Sequence, residues 1–332
     1  MIYLYFFSFA ASTPRSPIYD RQPNCGKLKH LRNVNVLSPL VPSPLLYKSM
    51  REQKECCTSI FFILAVGAVM CLAPSTAFAD DKRPPLATIV DQRFIADFDG
   101  SEQKYVELTP HGFAADVPVS VLIALHGHGS DRWQFTTQMR DECRATRDVA
   151  AAHGMLMVSP DYRAKTSWMG PAAEADLLQI IRILKNRFQV RRVIVSGGSM
   201  GGTSALTLAA LHPEQVDGVV ALNGTANHVE YERFQDAISK SFGGSKQEVP
   251  EEYHRRSAEF FPDRFTMPVA ATTGGRDDSV PPESVQRLLS LLDKRDTKVL
   301  GIHRPEMGHS TNYDDTMRAF EFVIAACQAA GE

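Results

Sequence analysis

Short uninterrupted apolar runs alternate with segments of helical period through most of this chain, and that alternation leaves few folds open. Val119 to Leu125 (VSVLIAL), Met155 to Val158, Arg192 to Ser196, Gly218 to Leu222, Val269 to Thr273 and Lys298 to His303 read as strands. A strand covered on both faces is apolar at successive positions, whereas a half-solvated one alternates. Between them, Arg132 to His153, Ala172 to Phe188, Met200 to Leu211 and Pro282 to Lys294 have helical spacing, and a last helix is predicted from Thr316. Strands separated by helices of this length build βαβ units, hence a mostly parallel sheet with helices on both faces. Ahead of these, Phe94–Phe98 and Tyr105–Leu108 read as two short strands around Asp99-Gly100. Residues 224–266 break the rhythm with polar, partly helical, aromatic-rich sequence. They read as an insertion between the fourth and fifth of these core strands, with aromatics mainly packed within it.

The average composition, 44% hydrophobic and 22% charged with net charge −2, is that of a globular chain. It excludes collagen-like or multi-span membrane architectures and gives no bulk charge for nucleic-acid binding. The average conceals a division. Residues 1–79 carry eight Lys/Arg and three Asp/Glu, a net of +5, and the remaining 253 carry a net of −7. Ser59 to Ala73 is uncharged and apolar, too short for an ordinary spanning helix. It follows Met50, Arg51 and Lys54 and precedes Ser75-Thr76-Ala77-Phe78-Ala79. A basic start, an apolar centre and small residues before a cleavage point make Met50–Ala79 a secretory signal peptide by pattern. The competing readings are an uncleaved anchor or a lipoprotein at Cys71. Residues 1–49 lack periodicity and are read as a non-structural extension or a mis-assigned start. The expected product is 80–332, secreted or periplasmic, without a stable membrane anchor and with only Cys143 and Cys327. Both fall in helical segments, where buried free thiols are the simplest reading and a disulfide the alternative.

The strand at Arg192–Ser196 runs into Gly197-Gly198-Ser199-Met200-Gly201-Gly202 and then a helix. Gly-x-Ser-x-Gly in this strand-turn-helix setting places a serine on a turn so tight that side chains two positions away would collide. Ser199 is the candidate nucleophile. Its hydroxyl needs a base, and the base needs a partner that fixes its tautomer. In this setting the acid and then the histidine follow in sequence. Thr273-Gly274-Gly275-Arg276-Asp277-Asp278-Ser279-Val280-Pro281 follows the fifth core strand, and Met307-Gly308-His309-Ser310 follows the sixth. Asp277 is the preferred acid, with Asp278 as the rival or as a helix cap, and His309 is the base. The loop Leu125-His126-Gly127-His128-Gly129-Ser130 is placed to supply an oxyanion donor. The N–H of His128, with Gly127 and Gly129 as alternatives, would join that of Met200. His126 and His128 have no third ligand in reach, so no metal site is expected there, and acyl transfer to a serine implies no cofactor.

These four segments, HGHG, GGSMGG, GGRDDSVP and MGHS, occur in the order found in α/β-hydrolases, which residues 87–330 resemble. Ser159-Pro160-Asp161-Tyr162-Arg163 and Trp168 to Asp176 resemble the secreted esterases related to the prolyl oligopeptidase catalytic domain, to feruloyl and acetylxylan esterases and to polyhydroxybutyrate depolymerases. The resemblance implies an α/β-hydrolase fold with a small helical cap and a serine esterase acting on a small-molecule or polysaccharide ester. Tyr162 and Trp168 are the candidate walls of its pocket, loop packing being the alternative. The second reading is a small serine peptidase of the prolyl oligopeptidase type. About 250 residues leave no room for a large gating domain, which weighs toward the esterase.

Overall fold

The computed structural model describes residues 88–329. The proposed extension and signal peptide lie outside the described residues. In chain order the elements are β1 (Thr88–Ile95), β2 (Glu102–Thr109), β3 (Val119–Leu125), α1 (Gln134–Thr137), α2 (Asp141–Ala152), β4 (Leu156–Pro160), α3 (Pro171–Arg187), β5 (Val190–Gly198), α4 (Met200–Leu211) and β6 (Gly218–Leu222). There follow α5 (Gln235–Phe242), α6 (Pro250–Arg255), β7 (Val269–Gly274), α7 (Glu283–Asp293), β8 (Val299–Arg304) and α8 (Tyr313–Ala329). Eight strands form one sheet in the order β1-β2-β4-β3-β5-β6-β7-β8. The β1–β2 and β2–β4 pairings are antiparallel and the rest are parallel. This is the α/β-hydrolase fold.

The apolar runs are continuous because each central strand feeds two cores. Val121, Ile123 and Leu125 of β3 face one cluster, with Leu177 and Ile180 of α3, Leu206 of α4 and Leu288 of α7. Leu122 and Ala124 face the other, with Val149 of α2 and Phe320 and Val323 of α8. Cys143 and Cys327 are buried free thiols in this second cluster.

Three boundaries depart from expectation. Strand β1 starts six residues early and is mostly solvent-exposed, so it carries no apolar pattern to read. The helix predicted over 132–153 is two helices. Gln138 is extended (ψ 145°), and Arg147 donates to the carbonyls of Phe135 (2.8 Å) and Gln138 (2.9 Å), satisfying the end of α1 from α2. Helix α8 begins at Tyr313 because Asn312 caps it: its Oδ1 accepts the Asp315 N–H at 2.8 Å, and its amide donates back to the Asp315 carboxylate at 2.9 Å. The insertion between β6 and β7 holds α5, α6 and two single turns. Tyr231, Phe242, Tyr253 and Phe265 are buried there, while Phe234 and Phe260 are exposed.

Candidate active site

Strand β5 delivers Ser199 in a left-handed backbone conformation (φ 58°, ψ −119°), which a side-chain-bearing residue adopts only when its surroundings impose it. The neighbouring backbone does so. A Cβ on Gly197 would lie 2.5 Å from the Leu125 carbonyl oxygen, and one on Gly201 only 2.0 Å from the same atom. The carboxyl ends of β3 and β5 therefore meet at the turn with room for hydrogen alone. The Ser199 N–H donates to Leu222 O of β6 (2.8 Å), closing the third side.

Asp277 follows β7 and is buried. Its Oδ1 accepts the N–H groups of Ser279 (3.0 Å) and Val280 (2.8 Å). Its Oδ2 lies 2.6 Å from His309 Nδ1, and His309 Nε2 lies 2.8 Å from Ser199 Oγ. Asp278 is exposed and takes no part, and it is not a cap either, since α7 starts after Pro282. The acid and histidine loops are tied together: Arg276 N–H donates to Met307 O (2.9 Å), and a Cβ on Gly274 would meet Gly308 O at 2.3 Å. His303 stays on β8, 3.0 Å from the hydroxyl of Thr273.

Hydrogen-bond accounting separates the candidate donors of the HGHG loop. Gly127 N–H donates to Gln134 Oε1 (2.9 Å) and Gly129 N–H to Lys165 O (2.7 Å). Within HGHG after His126, this leaves the His128 N–H without an acceptor among the described residues. The Met200 N–H, at the first position of α4, is likewise unused, as the first turn of a helix leaves its donors. Gly127 and Gly129 are thereby removed as alternatives.

Tyr162 and Trp168 do not line the cavity. They are 1% and 0% exposed. The Tyr162 hydroxyl donates to His126 O (2.6 Å), and the Trp168 indole N–H to His128 Nδ1 (3.0 Å). Burial drives the Tyr162 phenol pKa well above its ordinary value. Tyr162, Arg163, Trp168 and Met169 all have positive φ, and this turns the two rings inward beneath the HGHG loop rather than out to substrate. Arg163 pairs with Asp176 (2.8 Å), whose carboxyl burial pushes up to about 6 against the pull of that guanidinium.

The cavity at Ser199, about 320 Å³, is lined by the HGHG loop, Gln134, Gln138, Arg140, Glu142, Asn223 and the loop 309–311. Arg140 and Glu142 are ion-paired in its wall. Two contributors escaped the sequence reading. Gln134 is buried and fixes Gly127. Asn223 (φ 50°) ends β6, and its Oδ1 lies 2.6 Å from the Thr311 hydroxyl beside His309. The Asn223-Gly224 pair after an apolar strand was the available signal for this left-handed corner. Among the described residues no cluster of His, Cys, Asp or Glu could hold a metal ion, and no helix is long and apolar enough to cross a membrane.

The model of the prolyl oligopeptidase family matches residues 144–324, more than half of the chain and a span that contains Ser199, Asp277 and His309. The chain is 22% identical over 249 residues to dipeptidyl peptidase family member 6 of Caenorhabditis elegans, a match covering 68% of this chain and 32% of that protein. It thus spans about a third of that relative's length. A puromycin-hydrolyzing peptidase of Mycobacterium tuberculosis superposes with a TM-score of 0.59 at 17% identity, over 74% of this chain and 39% of that one. The fluorophosphonate-binding serine hydrolase FphF of Staphylococcus aureus superposes with a TM-score of 0.56 at 15% identity, over 72% of this chain and 98% of that one.

Proposed function

The chain belongs to the prolyl oligopeptidase family, and from that premise we propose that it is a serine hydrolase that cleaves amide bonds of short peptide-like substrates through an acyl-enzyme at Ser199. The observation that carries the reading is the continuous relay from Asp277 Oδ2 to His309 (2.6 Å) and from His309 to Ser199 Oγ (2.8 Å). His309 Nε2 takes the hydroxyl proton as Oγ attacks the carbonyl carbon. The developing oxyanion accepts the N–H groups of His128 and Met200. One such donor is worth about 2.7–4 kcal/mol of transition-state stabilisation. His309 then gives its proton to the departing amine, and water, deprotonated by the same nitrogen, releases the acid. Asp277 holds Nδ1–H, so that Nε2 carries the lone pair that accepts the proton.

The relatives favour the peptidase alternative over the ester reading, because those named above as peptidases act, by their names, on peptides or puromycin. The same machinery cleaves activated esters, which makes them useful reporters. The Met50–Ala79 pattern supports a further part of the proposal, that the enzyme works after export. The discriminating experiment sets alanine and proline anilides against methyl ferulate, acetylxylan and nitrophenyl esters of increasing chain length. Anilide turnover that disappears in Ser199→Ala supports the reading. Efficient release of ferulate or acetate with no anilide turnover overturns it in favour of an esterase.

A further inference from the structure

The mechanism uses the backbone N–H of His128 and leaves its imidazole unassigned. The Trp168 indole nitrogen, 3.0 Å from Nδ1, can only donate. His128 Nδ1 therefore carries the lone pair and the ring proton sits on Nε2. Protonating the ring would set a second N–H against the indole N–H, and burial also lowers the pKa of this imidazole. The ring packs against Trp168 (centroids 5.9 Å apart) and Phe234 (4.4 Å), which also pack on each other (5.5 Å). Nε2 has no protein partner among the described residues. It is not among the buried polar atoms, and its residue lines the cavity that contains Ser199. Beside it stands Phe234, 41% exposed and in a left-handed conformation (φ 56°) that presents its ring at the start of α5. A fixed donor next to an exposed apolar ring is the arrangement of a small-molecule subsite.

The leaving group departs toward His309, which protonates it. His128 flanks the oxyanion, and the exposed ring of Phe234 packs beside its imidazole, on elements separate from the His309 loop. His128 thus offers two donors on one residue, its backbone N–H and its Nε2–H. We propose that His128 Nε2–H donates to the carbonyl oxygen of the acyl part next to the scissile one, with Phe234 covering the group beyond it. The preferred acyl donors are then peptidyl or N-acylaminoacyl groups rather than plain acyl chains. This rests on the acyl-enzyme reading of Ser199 and deepens it.

The test uses nitrophenyl esters, so it reads the subsite even if amides prove poor substrates. The pair is N-acetylalanine nitrophenyl ester and nitrophenyl isobutyrate, which share the branched carbon and differ in the acetamido group that carries the second carbonyl, with each rate divided by that ester's rate with hydroxide. Wild type favours the first in kcat/KM by about tenfold, the value of one neutral hydrogen bond. In His128→Phe, with active sites counted by the nitrophenol burst, the ratio falls toward 1. Phe234→Ala, a surface change, lowers the preference for N-benzoylalanine over N-acetylalanine esters. A wild-type ratio near 1, or an unchanged ratio in His128→Phe, overturns the subsite and leaves the Ser199 chemistry standing. Failure of either ester to acylate Ser199 overturns the catalytic reading and the subsite with it.

Discussion

Replacing Asp277 by Asn separates the two jobs of this carboxylate. Its Oδ1 accepts two backbone N–H groups, at 3.0 and 2.8 Å, and its Oδ2 faces His309 Nδ1 at 2.6 Å. An amide has one acceptor oxygen and one donor nitrogen. The two N–H groups of Ser279 and Val280 claim the oxygen, so the NH2 turns toward His309. There it meets Nδ1 as a donor, and the imidazole must shift its proton to Nε2. The nitrogen 2.8 Å from Ser199 Oγ then has no lone pair to accept the serine proton. A wrong-tautomer base of this kind loses about 10⁴ in turnover, or about 5.5 kcal/mol. The loop keeps both backbone bonds, so the thermal midpoint moves little by comparison. The assay is kcat/KM on a nitrophenyl ester at neutral pH, with unfolding followed in parallel and Asp278→Asn as the exposed neighbour control. A loss below tenfold in Asp277→Asn, or an equal loss in Asp278→Asn, would refute the tautomer argument.

Two further perturbations probe the frame around the site. Gly201→Ala places a Cβ 2.0 Å from Leu125 O, so β3 and the oxyanion loop must move by more than 1 Å. That displacement should cost about 10²-fold in kcat/KM and about 1–3 kcal/mol in stability; wild-type kinetics in a folded variant would contradict the packing account. Burial alone would raise the pKa of Glu174, but the bond from His212 and the charges of Arg256 and Arg255 outweigh it and hold the carboxyl at about 2. Its folded pKa lies below its ordinary value of 4.5, so its stabilisation is complete above about pH 4.5 and is lost as pH falls toward 2. Glu174→Gln leaves the fully buried Arg256 with Glu252 (2.7 Å) as its remaining carboxylate partner, and the lost charged contact should cost about 1.5–3 kcal/mol at pH 7. The gap to wild type should narrow in acid, and equal urea midpoints at pH 7 would contradict it.

The legible parts of this molecule are those where backbone geometry dictates residue type. Strands covered on both faces show as apolar runs, and the serine turn shows as glycines at positions where a Cβ has 2.0–2.5 Å of space. Asp277, rather than Asp278, is the residue whose carboxylate bonds the turn's own N–H groups. Strand β1 was hard to place because an exposed edge needs no apolar face. Tyr162 and Trp168 were misread for another reason. Their position after β4 is readable, but the positive φ of Tyr162, Arg163, Trp168 and Met169 sends the rings inward, and nothing in these four residue types signals it. Gln134 and Asn223 are ordinary polar residues until tertiary contacts give them partners. Substrate class lay beyond the motif altogether. Length favoured an esterase, but length carries no information about which carbonyl bond the triad meets.

The central claim is that Ser199 is acylated, and mass spectrometry of the full chain after a fluorophosphonate or a rapidly quenched nitrophenyl ester tests it most directly. The account predicts one adduct per chain, on the peptide that contains Ser199. The adduct should be absent in Ser199→Ala and should form slowly in His309→Ala. An adduct on another residue, or undiminished labelling and turnover in Ser199→Ala, would contradict it.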